Sequence, residues 1–148
     1  MLLLKFLLWM VAAMHLVVGG GLMIAPGFAH FMVQVYGAQV DWTPEFAYIL
    51  RPLGAFMFVL GLLAAAAGRH PGRHRFITHS LAVLFALRAL QRLLLAEQVQ
   101  EAFGISASRN AANMLFFTFL AGALAVVDLW ANRQVRSTNR QTSDVPPG

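Results

Sequence analysis

Residues 46–96 read FAYILRPLGAFMFVLGLLAAAAGRHPGRHRFITHSLAVLFALRALQRLLLA, two apolar stretches joined by a short basic connection. Each apolar stretch has about 20 residues, the length that a helix needs to cross the hydrocarbon core of a bilayer. A similar stretch opens the chain, and another lies in its last third. The sequence therefore predicts an all-α membrane protein with four transmembrane helices, over residues 2–24, 46–67, 76–96 and 111–131.

The composition excludes a soluble fold and several kinds of chemistry. Of the 148 residues, 59% are hydrophobic and only 11% are charged, whereas soluble domains carry about 25% charged residues. The absence of cysteine excludes disulfides, thiolate nucleophiles, cysteine-ligated metals and dithiol chemistry on quinones. The first apolar run is longer than the roughly 7–15 residues of a signal-peptide core, so we expect a retained helix rather than a cleaved signal.

The basic residues are distributed unevenly between the two ends of the spans. They lie at the start of the first span, between the second and third, and after the fourth: Lys5, Arg69, Arg73, Arg75, Arg133, Arg136 and Arg140. The other two connections hold four carboxylates and one arginine, Arg109. Because basic loops stay in the cytoplasm, we predict an up-down-up-down bundle in a bacterial cytoplasmic membrane with both termini inside. The net charge of +5 then reflects topology and some attraction for anionic lipid, not nucleic-acid binding.

Two segments outside the spans are informative. In the first outside connection, residues 25–45, apolar side chains recur at helical spacing: Phe28, Phe31, Met32, Val35 and Tyr36. Either a short amphipathic helix in the outer interface, anchored by Trp42, or a loop packed over the bundle explains this pattern. Residues 1–131 form the membrane domain. Residues 132–148 are polar and predict a cytoplasmic tail that is disordered unless a partner holds it.

Small residues recur within three of the predicted spans. They include Ala12, Gly19, Gly54, Gly61 and Gly122. In lipid the hydrophobic effect contributes little to association between helices, so close backbone contact at small residues matters more. This pattern favours packing within the bundle over an interface between copies of the chain.

Polar side chains at membrane depth are the candidates for function, because they are costly there and usually face the bundle interior or water. At a rise of 1.5 Å per residue, one level lies about 12–13 Å from the outer end of the spans and a second about 5–7 Å from it. The candidate ligand-binding residues at these levels are His15, Arg51, Arg88, Gln91, Arg92, Asn113 and Thr118. They predict a polar pocket open to the outside, suited to a quinone head, a lipid phosphate or a carboxylate. Alternatively, Arg51 and Arg92 reach outward or pair with glutamates, and His15 is a hydrogen-bonded packing residue.

A second candidate pair, His79 and Asp128, shares a level near the inner ends of the third and fourth spans. It is either a functional pair or an interfacial salt bridge. His79 lies roughly 15 Å from the level of His15, which argues against a haem held by both rings. The methionines are spread over several helix faces, so we interpret them as packing residues rather than copper ligands. No metal site is predicted, and no nucleophile elbow, carboxylate pair within a span or HExxH motif indicates a catalytic residue.

Two motifs resemble the DoxX-like group of small four-helix bacterial membrane proteins. They are GGGLMIAP over residues 19–26, and LRPLGA over residues 50–55 followed by LGLL over residues 60–63. Some members of that group are subunits of quinone-linked oxidoreductases. The resemblance therefore implies a redox-associated membrane subunit, and it carries over no catalytic residue.

Three functions follow as hypotheses. The first is a non-catalytic membrane subunit, or a small-ligand or lipid-binding module, that works with other membrane proteins in a larger assembly. The alternative is a quinone-interacting redox protein that uses Arg88, Arg92 and His15, with quinone as its cofactor. The third is a small transporter, which is disfavoured because four spans without an inverted repeat would need an oligomer to supply one.

Overall fold

A computed structural model describes the backbone of residues 2–143 and the side chains of residues 2–131 and 133. This part of the chain is helical and contains no strand: α1 (Leu2–Ile24), α2 (Pro26–Val35), α3 (Pro44–Arg69), α4 (Arg75–Leu94), α5 (Ala96–Phe103) and α6 (Ala107–Ser143). Four helices are long and apolar enough to cross a membrane, namely α1, α3, α4 and the Ala107–Ala131 part of α6. The predicted all-α bundle of four apolar helices is confirmed.

The helix ends differ from the predicted spans at several points. Helix α4 stops at Leu94, and the short helix α5 follows it directly. Helix α6 does not end near Ala131 but continues to Ser143, so the backbone is helical over residues 132–143, where the sequence predicted a tail that is disordered unless a partner holds it. Residues 132–143 contain neither proline nor glycine, and a helix can therefore continue through them despite their polarity. The rest of the predicted tail, residues 144–148, lies outside the described residues.

The connection between the first two spans contains the short helix that was one of its two interpretations. Helix α2 starts with Pro26, a residue that suits the first helical position because its missing N–H would have no partner there. The ring of His30, a residue of α2, stacks on the Trp42 ring with the two centroids 3.5 Å apart. Gly37 follows α2 with φ +75°, a left-handed conformation that glycine adopts without strain. The Arg109 guanidinium donates to the Val35 carbonyl and thereby ties the end of α2 to the start of α6.

The four long helices associate as two pairs, α1 with α3 and α4 with α6. Glycines let α1 and α3 approach closely. A Cβ atom added at Gly54 would lie 2.7 Å from the Gly19 carbonyl oxygen, and one added at Gly61 would lie 2.9 Å from the Leu16 nitrogen. Small residues thus provide packing within the bundle at this interface, as predicted. Gly122 on α6 is different, since an added Cβ would meet no described atom within 4 Å.

The two pairs meet around a shared apolar core. Its largest fully buried side chains include Leu8 of α1, Leu81 and Phe85 of α4, and Phe117 and Leu124 of α6. Many other large apolar side chains point outward, which suits helices surrounded by lipid. At one end of the bundle, called the basic end here, Lys5, Arg69 and Arg73 line one groove. Helices α2 and α5 cover the opposite end, called the cap end here.

Candidate ligand-binding cavity

A cavity of about 200 Å³ lies between the two helix pairs, beneath α2. Five helices contribute to its wall: Met14 and Val18 from α1; Met32, Val35 and Tyr36 from the α2 region; Met57 from α3; Arg88 from α4; and Asn113, Phe116 and Phe117 from α6. No close packing joins α3 to α6 within the described residues. The cavity fills part of this gap, and side chains from both helices face it.

Methionines form a large part of the wall. Met14, Met32 and Met57 come from three different helices and converge on the cavity, whereas Met10 and Met23 are exposed. Sequence reasoning treated the methionines as general packing residues and could not see this convergence. Unbranched thioether side chains adapt their shape, so they suit the wall of a site that must fit a ligand. Among the described residues there is no group of His, Asp or Glu that could hold a metal ion, and the Arg88 cation in the same wall would repel one.

Two polar side chains face this apolar space. The Arg88 guanidinium lies 4.4 Å from the centre of the Phe117 ring, a cation–π contact. It forms no ion pair with any carboxylate in the described part of the chain. The Asn113 amide nitrogen is buried and has no hydrogen-bond partner among the described residues. The wall therefore presents two N–H donor groups that make no side-chain hydrogen bond with any described residue.

His15 lies beside the cavity and does not line it. Its side chain is fully buried, and Nδ1 donates to the Val11 carbonyl oxygen at 2.9 Å. Nε2 has no partner within the described residues. The His15 and Phe85 rings lie 5.7 Å apart, and Phe85 stacks on Phe117 at 6.2 Å. The hydrogen bond to the backbone supports the interpretation of His15 as a packing residue.

Arg92 lies one helical turn after Arg88 and is held in place by a neighbouring helix. Its guanidinium donates to the Asn110 side-chain oxygen at 2.9 Å, and the Asn110 amide donates back to the Arg92 carbonyl at 3.0 Å. The guanidinium also lies 5.9 Å from the centre of the Tyr36 ring. Pairing with a glutamate, one of the expected alternatives, does not occur among the described residues. Sequence reasoning missed Asn110, although its position three residues before Asn113 places both on neighbouring parts of one helix face.

A second, more open depression lies along the last turns of α4 and the start of α5. It has a volume of about 290 Å³ and is lined by Arg88, Gln91, Arg92, Leu95 and Val99. We call it the outer groove. Arg88 lines both the outer groove and the cavity. The structure thus brings four of the seven candidate residues into two adjoining depressions: Arg88, Gln91, Arg92 and Asn113.

Two candidate residues lie elsewhere. Arg51 on α3 is exposed and lines neither depression. Thr118 on α6 is also exposed, and its hydroxyl donates to the Met114 carbonyl oxygen at 2.9 Å. Thr118 follows Asn113 by five residues, which corresponds to about 140° around the helix. Depth along the helix had placed Thr118 near the other candidates, but depth does not determine which face a residue occupies.

The second predicted pair lies at the basic end. His79 Nε2 is 3.1 Å from Asp128 Oδ2, and the Arg75 guanidinium is 3.3 Å from the same oxygen. Asp128 is buried, with 2% of its side chain exposed. The sequence did not predict that Arg75 contacts Asp128, because Arg75 was assigned to the connection before α4. This carboxylate joins α4 to α6 through Arg75 and His79, an arrangement that favours the structural salt-bridge interpretation.

Comparison of the chain with protein-family models, with curated proteins and with solved structures found no match. The resemblance to the DoxX-like group therefore stays a prediction that rests on two short motifs. The fold and the site define a class of protein: an all-α bundle of four apolar helices with a methionine-rich cavity between the helix pairs.

Proposed function

We propose that the protein is a membrane-embedded binding module for a small, mostly apolar molecule that carries an oxygen acceptor. The observation that carries this proposal is the cavity, in which Arg88 and the buried Asn113 amide nitrogen lie without a hydrogen-bond partner among the described residues. A buried donor without a partner costs about 1–3 kcal/mol. An oxygen atom of a bound molecule would remove that cost, so the empty cavity is less stable than the filled one.

The size of the cavity limits the ligand. An apolar cavity of about 150 Å³ accepts a benzene ring, so the roughly 200 Å³ of this cavity fits one six-membered ring with small substituents. Apolar and aromatic side chains surround most of such a ring, and the two donors fix its orientation. The protein then binds its ligand without any chemistry of its own. We assign it this role within a larger membrane assembly, whose other subunits would use or deliver the ligand.

The orientation is part of the same proposal. Lys5, Arg69 and Arg73 lie together at the basic end, and basic residues concentrate on the cytoplasmic side of membrane proteins. Both termini then lie in the cytoplasm of a bacterial cell, and the cavity belongs to the half of the membrane nearer the outer surface. Reporter fusions at the two termini test this arrangement, and signals from opposite compartments would contradict it.

A quinone head is the second candidate ligand, favoured by one specific feature of the wall. Quinones carry carbonyl oxygens on a single six-membered ring, and Arg88 and Asn113 offer two donors beside the face of Phe117. A redox role would need electrons from a partner subunit, since the described chain offers aromatic and polar contacts but no metal site. This alternative agrees with what the DoxX-like resemblance implies.

The methionines provide a direct test of the cavity. We expect a short-tailed benzoquinone to cause saturable chemical-shift changes in the 13C-methyl signals of Met14, Met32 and Met57. The exposed residues Met10 and Met23 serve as controls within the same molecule, because unspecific partitioning into the detergent micelle would affect them equally. Equal changes at all five methyls, or no saturation, would reject binding in the cavity.

The assembly part of the proposal has its own test. Extraction of the protein from its source membrane in mild detergent, followed by light scattering on the purified particle, gives its mass. We expect a particle that contains at least one further membrane protein in fixed stoichiometry. A lone monomer would contradict the role as a subunit. The cavity proposal is tested separately by the ligand titration.

A further inference from the structure

Helix α4 brings two arginines together without a compensating carboxylate. Arg88 and Arg92 are four residues apart, and both line the outer groove. Side chains at this spacing are neighbours on a helix surface, and like charges there are destabilising. Across the described residues, the pairs between a carboxylate and a cation involve only Asp128, which lies at the opposite end of the bundle. The groove therefore holds two neighbouring positive charges, and no described acidic side chain neutralises either of them.

The two guanidinium groups are already positioned for a ligand. Arg92 is held by its hydrogen bonds with Asn110, and its guanidinium also lies near the Tyr36 ring. Arg88 lies against the ring of Phe117. Side chains that are ordered before binding lose less conformational entropy when the ligand arrives. A guanidinium group also matches the geometry of phosphate and carboxylate oxygens better than any other side chain.

The position of the groove along α4 gives the ligand's shape. Arg92 lies two residues before the end of α4 at Leu94 and Arg88 lies six residues before it, so they are about 3 Å and 9 Å from that end. Leu95 and Val99 supply an apolar side to the groove. Because Arg88 also lines the cavity, the groove and the cavity adjoin at this residue. This arrangement fits a ligand with a charged head near the end of the span and an apolar body deeper in the bundle.

We infer that the outer groove and the cavity together bind one single-chain anionic amphiphile. Its phosphate or carboxylate head lies on Arg88 and Arg92. The part of its chain next to the head enters the cavity beside Met14 and Met57, and the rest of the chain leaves through the open side of the cavity. This inference rests on the proposed binding function and adds a charge to the ligand. A neutral molecule would fill the cavity but leave the two arginines uncompensated.

Three probes separate the parts of this inference, with the protein in phosphatidylcholine nanodiscs. Dodecyl phosphate supplies an anion and a chain, octaethylene glycol monododecyl ether supplies the chain alone, and inorganic phosphate supplies the anion alone. We expect dodecyl phosphate to shift the cavity methionine signals with a stoichiometry of one per protein. The neutral ether and inorganic phosphate should bind at least roughly tenfold more weakly.

Two arginine substitutions test the position of the head. Arg92→Gln removes a charge from the groove and keeps a side-chain donor for Asn110. We expect it to weaken the binding of dodecyl phosphate roughly tenfold. Arg51→Gln is the matched control, because Arg51 is an exposed arginine that lines neither depression, and its affinity should stay unchanged. A retained helical circular-dichroism spectrum shows that the Arg92→Gln protein is folded.

The outcomes distinguish this inference from the proposed function. If the neutral ether binds as tightly as dodecyl phosphate, or if Arg92→Gln leaves dodecyl phosphate binding unchanged, the anionic ligand is rejected and the cavity function stands. If inorganic phosphate binds as tightly as dodecyl phosphate, the groove is a simple anion site and the joined site is rejected. If benzoquinone also fails to shift the cavity methionines of the unaltered protein, the proposed function itself is rejected.

Discussion

Replacing Asn113 by leucine should make the protein more stable and its ligand affinity weaker. The Asn113 amide nitrogen is buried and has no hydrogen-bond partner within the described residues. Leucine has a similar size and would lie among Met57, Phe116 and Phe117, the apolar neighbours around the cavity. If Asn113 does not bind a ligand, its polar side chain only lowers the stability of the protein.

The expected magnitudes follow from that geometry. Removing one buried donor without a partner should raise the free energy of unfolding by about 1 kcal/mol, at the lower end of the range for such groups because the residue is only partly buried. The better helix propensity of leucine adds a few tenths of a kcal/mol. For the ligand, the loss of one hydrogen bond should cost about 1–1.5 kcal/mol, which weakens binding roughly tenfold.

Two assays and one control measure these opposite effects. Unfolding in mixed micelles gives the stability, and the methionine-methyl titration gives the ligand affinity. Thr118→Val is the control, because Thr118 is on the same helix, is exposed and bonds only within its own turn, so both quantities should change by less than about 0.5 kcal/mol. If Asn113→Leu destabilises the protein by more than about 1 kcal/mol, or if it leaves ligand affinity unchanged, the assignment of this amide to a ligand is refuted.

Two further predictions concern the bundle itself. Gly54→Ala should lower the free energy of unfolding by about 1–3 kcal/mol, because the added Cβ would lie 2.7 Å from the Gly19 carbonyl oxygen and force α1 and α3 apart. Gly122→Ala is the control and should not lower it, because the added Cβ meets no described atom within 4 Å. Asp128→Asn should cost about 1–3 kcal/mol in the same unfolding assay, since the buried carboxylate loses its charge toward Arg75 and His79. An unchanged stability for Gly54→Ala or for Asp128→Asn would contradict the packing or the salt bridge described here.

Much of the fold could be predicted because membrane helices are defined by length and apolarity. The first span, residues 2–24, coincides with helix α1. The second and fourth lie within α3 and α6, and the third overlaps α4 and extends two residues past its end. The end of α6 could not be predicted in the same way. Polar composition after Ala131 indicated a tail, but polarity alone does not end a helix, and residues 132–143 contain no residue that breaks one.

The candidate site was predicted less well because it depends on helix rotation. Depth placed Arg88 and Asn113 at two different levels, whereas both line one cavity, and it put the outward-facing Thr118 at the level of Arg88. Met32 carried no usable signal, since it lies in a connection that could equally have been a loop. The bond between Arg92 and Asn110 joins two helices whose relative rotation is set by packing, and one sequence does not specify that rotation.

The most direct test of the account is a crystal structure of the protein soaked with a brominated analogue of the ring ligand. The anomalous signal of bromine locates the ring without reference to any other measurement. The account predicts one bromine peak inside the cavity, next to Met14 and Met57, with a ring oxygen within hydrogen-bond distance of Arg88 or Asn113. Bromine peaks confined to the lipid-facing surface at saturating ligand would contradict it.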